Sequence, residues 1–153
     1  MKLYLVQHGE ACPKEVDPDR PLTARGREAI ERLANSLGRA GVEVARVVHS
    51  GKLRAAQTAD ILAAVVAPYV ELETSDHLHP NDDPRAIDWM SEAGGKDTML
   101  VGHLPFMARL VSLLLAADPD RPVAAYLPGS VVCLDSGAEG RWQMNWMIRP
   151  ELL

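Results

Sequence analysis

Three short apolar runs constrain this chain most, because each stops on polar residues and a segment of helical character follows each one. Leu3 to Val6 runs into Gln7 and His8; Val44, Val47 and Val48 run into His49 and Ser50; "DTMLVGH", residues 97–103, ends on His103. Short apolar runs bounded by turn signals read as buried strands. A strand followed by a helix, repeated along a chain, selects an α/β fold with a largely parallel sheet.

The intervening segments support that reading. Cys12 to Leu22, with Pro13, Pro18 and Pro21, reads as a loop. Thr23 is placed as an N-cap, with Ile30, Leu33, Ala34 and Leu37 at helical spacing behind it and Gly41 as the stop. Ser50 is the candidate cap of an alanine-rich helix that ends before Pro68. Asp83 and Pro84 read as the cap and first-turn proline of a helix through about Ala93. Pro105 opens a helix over Phe106 to Ala117 with a dense apolar face.

"SVVCLD" and "RWQMNWMI" close the chain as two strands, the latter with Trp142, Met144, Trp146 and Ile148 alternating onto one face. The expected architecture is a three-layer α/β/α domain over residues 1–153. Its central sheet is largely parallel, and the last two strands form an antiparallel edge. No internal repeat, low-complexity tract or linker divides it.

Composition narrows the function classes. A net charge of -5 argues against a general nucleic-acid binder. No apolar segment approaches the roughly 20 residues that cross a bilayer. The start, MKLYLVQHGE, lacks the apolar stretch and cleavage site of a signal peptide. Cys12 and Cys133 are far apart and read as reduced thiols, so the expected location is cytoplasmic. No phosphate-cradling loop ending in arginine follows Cys12, which therefore lacks the setting of an activated thiolate nucleophile.

Ligands of open α/β sheets bind beyond the carboxyl ends of the strands. His8, Ser50 and His103 each fall at such an end, so three polar strand ends converge on one rim.

The stretches "LVQHGEA", "DRPLTARG", "SGKLRAAQTA" and "VGHLP", in this order, resemble the histidine phosphatase superfamily with its phosphoglycerate-mutase-like fold. With "SVVCLD" and "WQMNW" the resemblance covers nearly the whole chain and is greatest to the short SixA-type phosphohistidine phosphatases. It implies that His8 is the nucleophile that becomes transiently phosphorylated. Neutral imidazole suits that role, since one nitrogen keeps a lone pair while the other N–H is fixed by a hydrogen bond. Gly9 lets the backbone pass close to the phosphate. Arg54 matches the arginine of the second motif, whose guanidinium holds two phosphoryl oxygens. His103 matches the second histidine, donating to a phosphoryl oxygen as charge develops. Ser50 is a helix cap first and a phosphate contact second; Arg20, in "DRPLT", reaches the pocket mouth or stays an exposed loop arginine.

The chain departs from the pattern twice. Gln7 stands where the family has a phosphate-binding arginine; it keeps an N–H donor and loses the charge and the fork. Arg20, or a cation on the substrate protein, is the candidate replacement. Gly51 stands where proline is usual, with a small effect expected on the turn before Arg54. The candidate acids are Glu10 and Asp76, neither in a recognisable acid motif, and Glu10 serves equally well to orient the loop after His8.

The resemblance implies a metal-independent phosphatase without cofactor, acting on a phosphohistidine-bearing signalling protein and releasing inorganic phosphate. The P–N bond has a better leaving group than an alkyl phosphate and asks less of a general acid. The alternatives are a phosphatase for small phosphoesters or phosphoprotein esters, and a phosphate-binding domain whose turnover Gln7 impairs. "HLHPNDD", from His77 to Asp83, has metal-ligand residue types without a complete ligand spacing.

Overall fold

The apolar runs become the inner strands of a six-stranded sheet in the computed structural model, which describes residues 1–153. The elements in chain order are β1 (Lys2–Gln7), α1 (Ala24–Arg39), β2 (Arg46–His49), α2 (Leu53–Val66), β3 (Glu73–Thr74), α3 (Trp89–Glu92), β4 (Thr98–Gly102), α4 (Phe106–Ala116), β5 (Val131–Ser136) and β6 (Trp142–Ile148). A single 3-10 turn, Pro150–Leu152, follows. The strand order is β3-β2-β4-β1-β5-β6. The β3, β2, β4 and β1 strands are mutually parallel, whereas β5 is antiparallel to β1 and β6 to β5. This is the expected parallel sheet with an antiparallel C-terminal edge.

Alternation along β1 divides the core into two layers. Tyr4 and Val6 face α1 and α2, packing with Ile30, Leu33, Ala59 and Leu62. Leu3 and Leu5 face α4, packing with Phe106, Met107 and Leu110. Removing water from both faces is the main source of stability here, and it explains why the inner strands read as unbroken apolar runs. No helix is long and apolar enough to cross a membrane.

The α1 boundaries follow the sequence: the Thr23 side chain accepts from Gly26 N, and Gly41 takes φ +73 just past the C-cap Ala40. Three expectations are corrected. Ser50 does not cap α2; Lys52 occupies the N-cap and makes no side-chain cap bond. The helix expected from Pro84 to about Ala93 shrinks to α3, capped by Asp88, whose side chain accepts from Met90 N. The even alternation in β6 also fails. A bulge between Cys133 and Leu134 sets Trp146 opposite Cys133 and Met144 opposite Leu134, leaving Asn145 unpaired. Because side chains alternate with period two, the extra residue changes the face. Trp142 therefore packs on the α4 side, and Trp146 and Ile148 on the α1 side.

Candidate active site

The parallel strands place their ends side by side. Gln7 pairs with Gly102 across the β1–β4 ladder, so His8 and His103 leave the sheet together. Their ring centroids are 5.0 Å apart with planes 53° to one another. The His8 backbone N–H donates to the Gly102 carbonyl at 2.9 Å, and the His8 carbonyl accepts from Gly129 N at 3.0 Å. This histidine is held by neighbouring strand ends on both sides.

Around the His8 ring, Nδ1 lies 2.7 Å from the Gly9 carbonyl oxygen. A carbonyl only accepts, so Nδ1 carries the hydrogen and Nε2 keeps a lone pair. Burial lowers the His8 pKa to about 4, with Arg54 and Arg20 pushing the same way against the Gly9 hydrogen bond. The imidazole is neutral at pH 7. The His103 pKa falls to about 3, again chiefly by burial, with His8, Arg54, Lys52 and His79 adding to it. His103 Nε2 lies 2.6 Å from Ser50 Oγ, while Nδ1 is buried without a partner.

Arg54 rises from the first turn of α2, half-buried beside His8 and His103, its pKa lowered by burial and by Arg20. Arg20 sits at φ +51, a strained conformation for a residue other than glycine. Its Nε donates to the Cys12 carbonyl at 3.0 Å. The loop carrying it is closed by a bridge between Ala11 and Leu22 and tied to α2 by Leu22 N donating to Gln57 Oε1 at 2.8 Å. Two guanidinium groups thus approach His8 from separate elements, and Arg54 approaches His103 as well.

Gln7 is 7% exposed and its Oε1 is buried with no hydrogen-bond partner. Gly9 is packed so that a Cβ would lie 2.8 Å from Ile30 Cγ1 and 3.3 Å from Gly26 O, a space open only to glycine. Glu10 is exposed, and its Oε1 accepts from Thr23 Oγ1 at 2.9 Å, which joins the loop after His8 to the cap of α1. Asp76 is exposed and makes no side-chain hydrogen bond or ion pair. Gly51 adopts φ +87, which the proline ring excludes. Proline therefore does not fit this turn as it is formed here.

Three further residues are not evident from the motifs. Thr58, fully buried, accepts from Gly9 N at 3.0 Å and donates to the Arg54 carbonyl at 2.8 Å, linking the His8 loop to α2. It lies four residues after Arg54, a spacing that puts both on one helix face. Gln57 anchors the Arg20 loop as described. His79 lies with its Nε2 3.0 Å from the Ser50 carbonyl oxygen, and its backbone N–H donates to Asp82 Oδ2 at 2.8 Å. The "HLHPNDD" stretch is thereby docked on the rim, and no three His, Cys, Asp or Glu side chains gather there in a metal-holding group. A cavity of about 600 Å³ lies elsewhere, between α1 and the β6 edge.

A sheet rim that presents an unprotonated imidazole nitrogen between guanidinium groups suits attack on phosphorus and stabilisation of its oxygens. Residues 3–80 match the model of the histidine phosphatase superfamily (branch 1), and the chain belongs to that superfamily. It is a hydrolase of the SixA-like kind. The chain is 28% identical over 155 residues to phosphohistidine phosphatase SixA of Escherichia coli (strain K12), covering 98% of this chain and 94% of the relative. A solved SixA complexed with tungstate superposes with a TM-score of 0.84 at 24% identity, covering 99% of both chains. The alpha-ribazole phosphatase of Shigella flexneri shares the fold, with a TM-score of 0.77 at 18% identity over 98% of this chain and 97% of that one.

Proposed function

We propose that this chain is a metal-independent phosphohistidine phosphatase that dephosphorylates a phosphohistidine-bearing signalling protein in the cytoplasm, working as one domain over residues 1–153. The observation that carries the proposal is the 2.7 Å contact from His8 Nδ1 to the Gly9 carbonyl, which reserves Nε2 as nucleophile. The likeness to SixA over nearly the full chain supports the substrate class.

In the proposed reaction His8 Nε2 attacks phosphorus and the P–N bond to the substrate imidazole breaks. A substrate ring protonated on its other nitrogen leaves as neutral imidazole, so no protein acid delivers a proton to the departing atom. The engagement of Glu10 with Thr23 is compatible with that. The new phosphohistidine on His8 keeps its Nδ1 hydrogen on Gly9. Water then displaces Nε2, giving inorganic phosphate and free His8. Arg54 holds phosphoryl oxygens, Arg20 contributes a second cation from the loop, and His103, positioned by Ser50, stabilises charge at the same oxygens.

Phosphate release from a phosphohistidine-bearing protein, with a chelator present, tests this against the His8→Ala variant. Release that depends on His8 and survives chelation is expected. Release that needs metal, or none above the variant, defeats the proposal; the latter result favours a phosphate-binding domain, the reading that the uncharged Gln7 supports. Faster turnover of an alkyl phosphate than of phosphohistidine would instead assign the chain to phosphoesters.

A further inference from the structure

The stretch His77 to Asp83 has no part in the proposed reaction, yet it is bound across the rim. As the chain leaves β3, Ser75 N donates to the His49 carbonyl at 2.9 Å. Leu78 is fully buried, and its carbonyl oxygen lies 3.1 Å from where a Cβ on Gly102 would stand, one residue before His103. His79 then reaches back to the end of β2, with its Nε2 3.0 Å from the Ser50 carbonyl oxygen. Its backbone is closed onto Asp82 twice: His79 N donates to Oδ2 at 2.8 Å, and its carbonyl accepts from Asp82 N at 3.2 Å.

The other end of the same peptide is also held. Gly51 N donates to His49 Nδ1 at 3.0 Å. A trans peptide points its C=O and N–H in opposite directions, so one histidine holds each end of the Ser50–Gly51 unit. The tautomers follow, because a carbonyl only accepts and an N–H only donates. His79 carries its hydrogen on Nε2, and His49 keeps a lone pair on Nδ1. Burial lowers the His49 pKa against the pull of Asp60, in keeping with a neutral ring. Packing does not supply this restraint. Gly51 sits at φ +87, and no other part of the protein lies within 4 Å of where its Cβ would stand. Hydrogen bonds therefore fix a residue that has unusual backbone freedom.

This peptide carries two parts of the site. Ser50 Oγ lies 2.6 Å from His103 Nε2, and Arg54 follows three residues after Gly51 in the first turn of α2. We propose that His49 and His79 are positioning residues that clamp the Ser50–Gly51 peptide from its two ends, and through it hold the His103 ring and the start of the helix bearing Arg54. The inference rests on the reading of the His8 rim as the phosphoryl site, and it makes the His77 to Asp83 stretch the strap of that site.

The test gives each histidine two replacements in the full chain. His79→Leu removes the donor to the Ser50 carbonyl, and His79→Gln keeps an N–H at similar reach. His49→Leu removes the acceptor for Gly51 N, and His49→Asn keeps an oxygen near the Nδ1 position. The readouts are the ring nitrogen signals of His103, amide exchange at Gly51, and phosphate release from a phosphohistidine-bearing protein. Both leucine variants should displace the His103 signals, hasten exchange and slow release about tenfold. His79→Gln and His49→Asn should recover most of each. The His79 side chain is 39% exposed, so His79→Leu should fold and decides the question where His49→Leu does not. Undisplaced His103 signals in His79→Leu, or equal damage in His79→Gln, overturn the inference and leave the phosphatase reading intact. Displaced signals in a protein whose wild type releases no phosphate uphold the clamp and defeat the phosphatase reading instead.

Discussion

Ser50 Oγ lies 2.6 Å from His103 Nε2, so the residue after β2 orients the ring at the end of β4. Both side chains are buried, and this is the only partner the His103 ring has within the protein, since Nδ1 has none. Ser50→Ala should leave the imidazole unpaired, at a cost of about 1–3 kcal/mol in stability. Under the proposed reaction the ring loses its orientation toward the phosphoryl oxygens, and turnover should fall about tenfold or more. Urea unfolding and initial rates measured side by side check this. Ser50→Thr keeps a hydroxyl and should recover much of both losses; equal damage in the two variants would assign Ser50 a packing role alone.

Thr58 is the second link between the halves of the rim. Its hydroxyl takes the Gly9 N–H and gives its own hydrogen to the Arg54 carbonyl. Thr58→Val keeps the shape and deletes both bonds. The Gly9 N–H is then buried without an acceptor, which should destabilise the fold by about 1–3 kcal/mol. The His8 loop should also loosen, seen as faster amide exchange at Gly9 and Glu10. Unchanged exchange there would remove Thr58 from the positioning of His8.

Gly26 lies in the first turn of α1, and a Cβ there would collide with the Glu10 carbonyl oxygen. That oxygen also accepts from Thr23 N at 3.0 Å, so the turn and the His8 loop are in direct backbone contact. In an exposed helix, replacing glycine by alanine stabilises by about 1 kcal/mol. Here Gly26→Ala should do the opposite, because backbone cannot yield as a side-chain tip does. A lowered thermal midpoint is expected, together with displaced His8 and Glu10 signals in an NMR spectrum. A raised midpoint would show that the loop moves aside without strain.

The fold was legible in the sequence because its strongest signals are local. Unbroken apolar runs at Leu3 to Val6 and Met99 to Val101 belong to strands covered on both faces, and Thr23 caps α1 as its chemistry predicts. His8, Arg54 and His103 were legible as a group because strand ends of a parallel sheet share one rim. What escaped depends on contacts across long separations or on backbone geometry. Ser50 looks like a cap by position, yet its hydroxyl is drawn to His103, 53 residues on. The Asn145 bulge leaves no mark in the hydrophobic alternation of β6, since large apolar side chains continue on both sides of it. Gly51 reads as an ordinary turn residue until its φ of +87 shows that proline could not replace it.

The two rim histidines give the fold a specific response to acid. His8 moves from its ordinary 6.5 down to about 4 and His103 to about 3, burial being the first cause for each. Between those values and 6.5 the unfolded chain binds protons that the folded chain refuses, so unfolding takes up protons and stability rises with pH. Stability should therefore be undiminished above about pH 6.5 and decline as pH falls toward about 4, where His8 begins to charge in the folded state. The slope for each histidine is at most about 1.4 kcal/mol per pH unit. Carboxylates also titrate at the lower end, so the informative quantity is the difference between wild type and His8→Gln in urea unfolding at successive pH values. Wild type should lose stability faster than the variant on going from about pH 6.5 to about pH 4.5. Parallel curves would mean that His8 titrates in the folded protein as it does in the unfolded one, and the neutral, unprotonated Nε2 on which the proposed attack depends would no longer be assured at neutral pH.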